Sequence, residues 1–188
     1  QVGAVLDLQR EDLRKQYETN VIAPVAVTRA AMPLLQTAVS NTGSAIVVNV
    51  GSIVGLFTTP FAAAYCSSKA AIHSLSDALR MELAPLGIRL VMIQPGAVRS
   101  AFGDHAEEAI QLPSNSLYKP VEQGIRARAQ ASQQGGTPTA EFVRPVVDKL
   151  LTAQPPAVIR GGAGSRLLVW TKKLLPMKWF DRAMIKRF

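Results

Sequence analysis

Apolar and polar positions follow two different rhythms along the chain. Over residues 10–36 the period is helical: Leu13, Tyr17, Val21, Val25, Ala30 and Leu34 recur at spacings of three to five, with charge between them early on. Pro24 and Pro33 are awkward inside one helix, because proline lacks an N–H and its ring crowds the preceding turn, and they predict a kink and an end, respectively. Ser40-Asn41-Thr42-Gly43 reads as a loop. Ala45 to Val50 (AIVVNV) is an unbroken apolar, β-branched run, the pattern of a strand buried on both faces of a parallel sheet. Gly51-Ser52 ends it. After a loop through Thr59-Pro60, residues 63–86 predict the longest helix, closed by Pro85 and Gly87. Ile88 to Ile93 (IRLVMI) repeats the buried-strand pattern and halts at Pro95-Gly96. Residues 101–140 are polar and mixed, with several prolines and Gly135-Gly136, and predict a long excursion with short helices. Residues 139–153 read as a helix and Ala157 to Arg160 as a third strand, after which Gly161, Gly162 and Gly164 release the chain into a tail. This alternation predicts an α/β fold with a parallel sheet.

Composition narrows the classes. The 188 residues, 48% apolar and 18% charged, suffice for one domain with a sizeable core. A single cysteine excludes an internal disulfide framework, and two histidines leave little for a zinc centre. The apolar runs all fall short of the roughly 18 residues of a spanning helix, so none is expected. Gln1-Val2-Gly3-Ala4 has neither an initiator Met nor a signal-peptide pattern and reads as the middle of a protein, with any targeting segment upstream out of view. The net charge of +8 is unevenly placed. Residues 1–160 hold 14 Lys/Arg against 12 Asp/Glu, whereas residues 161–188 hold 7 against Asp181 alone. A near-neutral body with a basic tail argues against a nucleic-acid binder, which would spread its basic face across the fold.

Tyr65-Cys66-Ser67-Ser68-Lys69 carries the strongest chemical signal. The i,i+4 spacing puts Tyr65 and Lys69 on one helix face. A phenol is a poor acid or base at neutral pH, and a neighbouring ammonium favours its ionised form, so the pair could exchange a proton with a carbonyl or alcohol oxygen. A tyrosine packed at a helix start and a lysine in solvent is the bland alternative. Ser52 lies beyond the carboxyl end of the first strand, where ligands of parallel sheets bind, and its hydroxyl could donate to a developing oxyanion. At the next strand end, Gly96 beside Pro95 would let a flat ligand approach the backbone. Asn20, a weak helix former in mid-helix, reads by itself as a surface polar residue. Cys66, His73 and His105 read as ordinary positions. Arg126, Arg128 and Lys119 could meet a phosphate or form a solvated face.

Together, Asn20 in YETNV, IVVNVGS ending at Ser52, Tyr65-x-x-x-Lys69 followed by AAI, and PGAVRS from Pro95 to Ser100 resemble the short-chain dehydrogenase/reductase family, in the family's order. The resemblance implies a Rossmann-type, doubly wound parallel sheet and an Asn20–Ser52–Tyr65–Lys69 tetrad. Tyr65 would be the proton donor/acceptor and Ser52 would orient the substrate carbonyl. Lys69 would lower the Tyr65 pKa and hold the nicotinamide ribose, with Asn20 anchoring a water relay to it. The cofactor loop would map to Pro95, Gly96, Val98 and Ser100. The implied cofactor is NADP(H), with NAD(H) as the alternative. The stretches AAIHSLSDALRMEL, PGAVRSAFGDHA, SLYKPVEQGIRARAQASQ and WFDRAMIKRF are similar to eukaryotic, particularly plant, acyl-dihydroxyacetone-phosphate reductase-like members. That similarity implies a lipid-like carbonyl or alcohol substrate, with steroids or retinoids as enzyme alternatives. Subunit pairing is implied through residues 10–36 and 63–86.

The chain departs from the family pattern at its start. The Gly-rich T-G-x-x-x-G-x-G turn and the N-N-A-G segment are absent, so about ninety residues, the adenine-binding half, are expected upstream. Residues 1–160 are therefore read as the C-terminal two-thirds of a reductase domain, residues 161–188 as a basic amphipathic extension, and the isolated chain as unable to hold the dinucleotide. The truncated sheet is expected to leave an apolar edge exposed. In the tail, Leu167, Leu168, Thr171, Leu174 and Leu175, then Phe180, Met184 and Phe188, form an apolar side flanked by lysines and arginines, with Trp170 and Trp179. Such a segment suits a membrane surface, or docks on its own domain or a partner subunit. The expected location is cytoplasmic, with peripheral contact to the endoplasmic reticulum or a lipid droplet through residues 165–188. A catalytically silent interaction module is the rival from outside enzymology.

Overall fold

The computed structural model describes residues 2–187; Phe188, counted above with the apolar side of the tail, lies outside them. Three parallel strands, β1 (Ala45–Val50), β2 (Ile88–Pro95) and β3 (Val158–Gly161), pair in the order β1-β2-β3. Val48 faces Val91 and Ile93 faces Ile159, so the sequence register runs straight across the sheet. Helices α1 (Arg10–Tyr17) and α2 (Ala23–Thr42) precede β1, and α3 (Ala63–Leu83) links β1 to β2. After β2 come α4 (Phe102–Glu108), α5 (Glu122–Gln130) and α6 (Thr139–Leu150), and after β3 the tail helices α7 (Leu167–Leu174) and α8 (Met177–Arg187).

Strand alternation decides what each helix covers. Ala45, Val47, Ile88 and Leu90 meet Met32, Leu35 and Val39 of α2 and Leu79 and Leu83 of α3. Val91, Ile93 and Ile159 on the opposite face meet Phe142, Val146 and Leu150 of α6. Helices thus lie on both faces, the doubly wound α/β arrangement. Asn49, buried in the first interface, donates to Ser76 Oγ of α3 at 2.8 Å, which satisfies both polar groups. β1 is an edge strand, and α6 does not reach its outer face. Ile46, Val48 and Val50 there are 40%, 38% and 57% exposed, the apolar margin expected of this sheet.

Residues 10–42 depart from expectation. Pro33 does not end its helix, and Ser40–Thr42 belong to α2, not to a loop. The N–H that Pro33 lacks would have served the carbonyl of Arg29, an exposed residue whose carbonyl water can satisfy. Ser40 and Thr42 bond back to the carbonyls of Gln36 and Ala38, and Gly43, at φ 80°, caps the helix in the left-handed region. Before Pro24, residues Glu18–Ile22 widen into a π-helical turn, which absorbs the irregularity expected there as a kink. Arg10–Thr42 is consequently one helical run, long and apolar enough by length and composition to cross a membrane, contrary to the sequence expectation. One side of it packs on the sheet; Ile22, Val27 and Leu34 lie exposed on another.

The tail folds back onto the body. Val169, Phe180 and Met184 are buried against Ile53 and Phe57, and the Phe57 and Phe180 rings meet edge to face at 5.9 Å. Phe180, Met184 and Leu168 of the expected apolar side face inward, whereas Leu167 and Leu174 are exposed and Val169 takes the buried position of α7.

Candidate functional site

The carboxyl ends of the strands assemble the site. Ser52, extended and 7% exposed, follows β1 directly. Its Oγ accepts the Val54 N–H at 3.4 Å, capping the short turn Ile53–Gly55. It also reaches the Pro95 carbonyl at the end of β2, 3.4 Å away, and hydrogen-bonds the phenol of Tyr65. Tyr65 sits in the first turn of α3, brought there by a loop in which Phe61 takes a left-handed backbone at φ 59°. The Gly3 N–H on the Phe61 carbonyl (2.7 Å) and the Phe61–Tyr118 ring contact hold that costly conformation in place.

Lys69, one turn further, donates from Nζ to the Val50 carbonyl at 2.9 Å and lies 5.9 Å from the centroid of the Tyr65 ring. Burial holds its pKa below the usual lysine value. Burial likewise raises the Tyr65 phenol, opposed by the Ser52 hydrogen bond and the charge of Arg128. The Lys69 ammonium is engaged with a backbone carbonyl and lies over the ring face, and the influences that oppose burial at the phenol come from Ser52 and Arg128.

Asn20 lies within the π-helical turn and donates to Ser68 Oγ at 3.0 Å, so it reaches the turn of α3 that bears Lys69. Ser68 in turn donates to the Tyr65 carbonyl at 2.8 Å. Asn20 and Lys69 both line a groove of about 520 Å³ that runs along β1 past Thr28 and Asn49. All four members of the sequence set therefore converge on one region.

In the loop after β2, Gly96 packs against this chain's own backbone. A Cβ on Gly96 would crowd Ser165 N (3.0 Å) and Gly162 O (3.1 Å), so the missing side chain serves the close approach of this chain's own backbone on that side. Val98 bridges to Thr137, and the Ser100 carbonyl accepts from Gln133. Pro95, Gly96, Val98 and Ser100 thus stand beside the site on a tied-down segment.

Two residues outside the sequence tetrad belong to the site: Arg128, read as a phosphate contact or part of a solvated face, and His73, read as an ordinary position. Arg128 of α5 is 8% exposed, donates from Nε to Thr59 Oγ1 at 2.6 Å and hydrogen-bonds Cys66, the neighbour of Tyr65. Its neighbour Arg126 forms an exposed pair with Glu122, and Lys119 is exposed, so only Arg128 leaves the solvated face. His73 of α3 is 8% exposed and accepts the Ser52 N–H at Nε2, 3.3 Å away. The signal for His73 was the pair Gly51 and Gly55 around Ser52, since a buried ring needs such room. The sequence did not distinguish Arg128 from Arg126 and Lys119, because its neighbours come from distant segments.

A parallel α/β sheet with a hydroxyl pair and a lysine at its carboxyl ends defines a Rossmann-type oxidoreductase class. The short chain dehydrogenase family model matches residues 1–111, and the chain belongs to that family. It is 30% identical over 190 residues to the uncharacterized oxidoreductase YusZ of Bacillus subtilis, covering 98% of this chain and 66% of that protein. It is 36% identical over 122 residues to an NADPH-dependent 3-dehydrocapnine reductase of Ornithobacterium rhinotracheale, covering 65% of this chain and 41% of the relative. A short-chain dehydrogenase from Streptomyces avermitilis superposes with a TM-score of 0.71 at 27% identity, over 92% of this chain and 60% of that one. The chain thus spans less than two thirds of these relatives' lengths.

Proposed function

We propose that these residues are the substrate-side part of an NAD(P)(H)-dependent oxidoreductase that interconverts a carbonyl and a secondary alcohol. The observation that carries this reading is the Ser52–Tyr65 hydroxyl pair at the carboxyl ends of the sheet, with Lys69 one turn away. Lys69 fits the role of ribose holder and Asn20 that of anchoring a water relay to it, because both line the same open groove; the nicotinamide, when bound, supplies or accepts the hydride. A carbonyl oxygen docked against both hydroxyls is oriented by Ser52 and receives the Tyr65 proton as it becomes an alcohol. Ser52 and the Arg128 charge then favour the phenolate left behind. In the reverse direction that phenolate takes the alcohol proton.

Within this reading, NADPH is preferred over NADH, supported by the relative named NADPH-dependent. The substrate is lipid-like, with an acyl-dihydroxyacetone phosphate as the leading case and steroids or retinoids as alternatives; the stretches similar to the plant-type reductases support it. Exposed apolar residues on α2 and α3, among them Val27, Leu34 and Met81, support pairing of two copies through residues 10–36 and 63–86. The outward side of the tail, with Leu167, Trp170, Leu174 and Trp179 exposed among lysines, supports peripheral contact with a membrane facing the cytoplasm, at the endoplasmic reticulum or a lipid droplet. The test is NADPH and NADH oxidation by the complete polypeptide against a panel of these ketones. Turnover of a lipid-like ketone with NADPH is expected; cofactor-independent silence towards the whole panel would favour the interaction module instead.

A further inference from the structure

Beside Ser52, two turns along α3 from Tyr65, lies a histidine that the chemistry above does not use. The imidazole of His73 is almost fully buried, and its Nε2 accepts the Ser52 N–H at 3.3 Å. Nε2 as acceptor places the ring proton of the neutral form on Nδ1. Nδ1 is buried without a hydrogen-bond partner among the described residues, an arrangement that costs free energy and calls for a compensating role. The backbone is shaped around this ring. A Cβ on Gly51 would collide with Nε2 and with Met92 Sδ, and one on Gly55 would lie 2.7 Å from Cε1 and 2.8 Å from Nδ1. Two glycines on either side of Ser52 thus make the slot that the imidazole fills.

We propose that His73 is a positioning residue that fixes the Ser52 backbone, and through it the Ser52–Tyr65 hydroxyl pair, and that it does so only as the neutral imidazole. The proposal rests on the functional reading above for the importance of that pair. Protonation would turn Nε2 into a donor facing the Ser52 N–H, so two donors would oppose each other across a buried contact. Ser52 or the ring must then move. The groups acting on His73 favour neutrality on balance: burial first, then Lys69 on its own helix, with Arg160 of β3 in the same sense and Asp77 of α3 opposing. Together they hold its pKa below the ordinary value of 6.5. Ser52 is therefore held at neutral pH and released as pH falls below that range.

The test is amide NMR of the 188-residue chain, following Ser52 and the His73 ring from pH 8 to pH 5. The Ser52 amide is expected to move with the His73 midpoint, below 6.5. His73→Phe, which keeps a ring but removes the acceptor, is expected to shift the Ser52 amide at every pH. His73→Gln, whose amide oxygen can accept, should restore it in part with no pH response. A Ser52 amide unmoved in His73→Phe overturns the proposal, as does one that stays fixed while His73 titrates. In the complete polypeptide, His73→Phe should lower kcat by up to roughly 100-fold with KM little changed, the scale of a misplaced reacting group. The NMR readout needs no turnover. An inactive enzyme with Ser52 and His73 coupled would defeat the functional reading alone, and an active one without the coupling would defeat this proposal alone.

Discussion

Phe180 is the main anchor of the tail, and Phe180→Ala tests how the tail is held. The ring is 2% exposed, meets Phe57 edge to face at 5.9 Å, and lies under Lys172 Nζ at 4.9 Å. Deleting a buried phenylalanine side chain costs about 3–5 kcal/mol, which includes the ring-pair contribution. Val169 and Met184 are the other buried tail side chains in that cluster, so the loss falls on a small contact and not on the sheet core. The expected result is local opening of residues 167–187 with the sheet intact. In hydrogen exchange, about 3 kcal/mol corresponds to amides of α7 and α8 exchanging roughly two orders of magnitude faster, while β1 and β2 keep their protection. Unchanged exchange in α7 and α8 would refute the packing argument. Equal loss of protection in tail and sheet would show that the tail is part of the core, contrary to the separation of the two clusters.

Asn49→Ala leaves the buried Ser76 hydroxyl without its partner and should destabilise the chain by about 1–3 kcal/mol in denaturant unfolding. Arg128→Met removes a charge that favours the Tyr65 phenolate, so absorbance titration, referenced to Tyr65→Phe, should find the phenol ionising at higher pH; Arg128→Lys should restore much of the difference. The depressed His73 pKa carries a stability consequence. The unfolded chain binds more protons than the folded one below about pH 6.5, so stability is full above that value and declines as pH falls through it. Urea midpoints at pH 7.5 and 5.5 should show a smaller decline in His73→Gln than in the parent chain.

The strands were legible because AIVVNV and IRLVMI are continuous apolar, largely β-branched runs, although only β2 is covered on both faces and β1 leaves Ile46, Val48 and Val50 exposed on one. The Tyr65–Lys69 spacing and the place of Ser52 at a strand end were legible for the same local reason. The reach of α2 beyond Pro33 was not. Proline's local cost is offset by Met32, Leu35 and Val39 packing on the sheet, a tertiary contribution that no window of sequence contains. The roles of His73 and Arg128 were hidden similarly. One depends on glycines that leave room for a ring, the other on Thr59 and Cys66 arriving from segments more than sixty positions away. The packing reason for a glycine at Gly96 was hidden as well, because the backbone it accommodates comes from residues 162–165.

The central claim is that Tyr65 carries the proton. Tyr65→Phe in the complete polypeptide keeps the ring beside Lys69 and Ser52 and removes only the hydroxyl. The account predicts that turnover of the preferred ketone falls by at least about 100-fold, the scale of a lost general acid, while NADPH affinity stays within a few-fold of the parent. Turnover equal to that of the parent would contradict it.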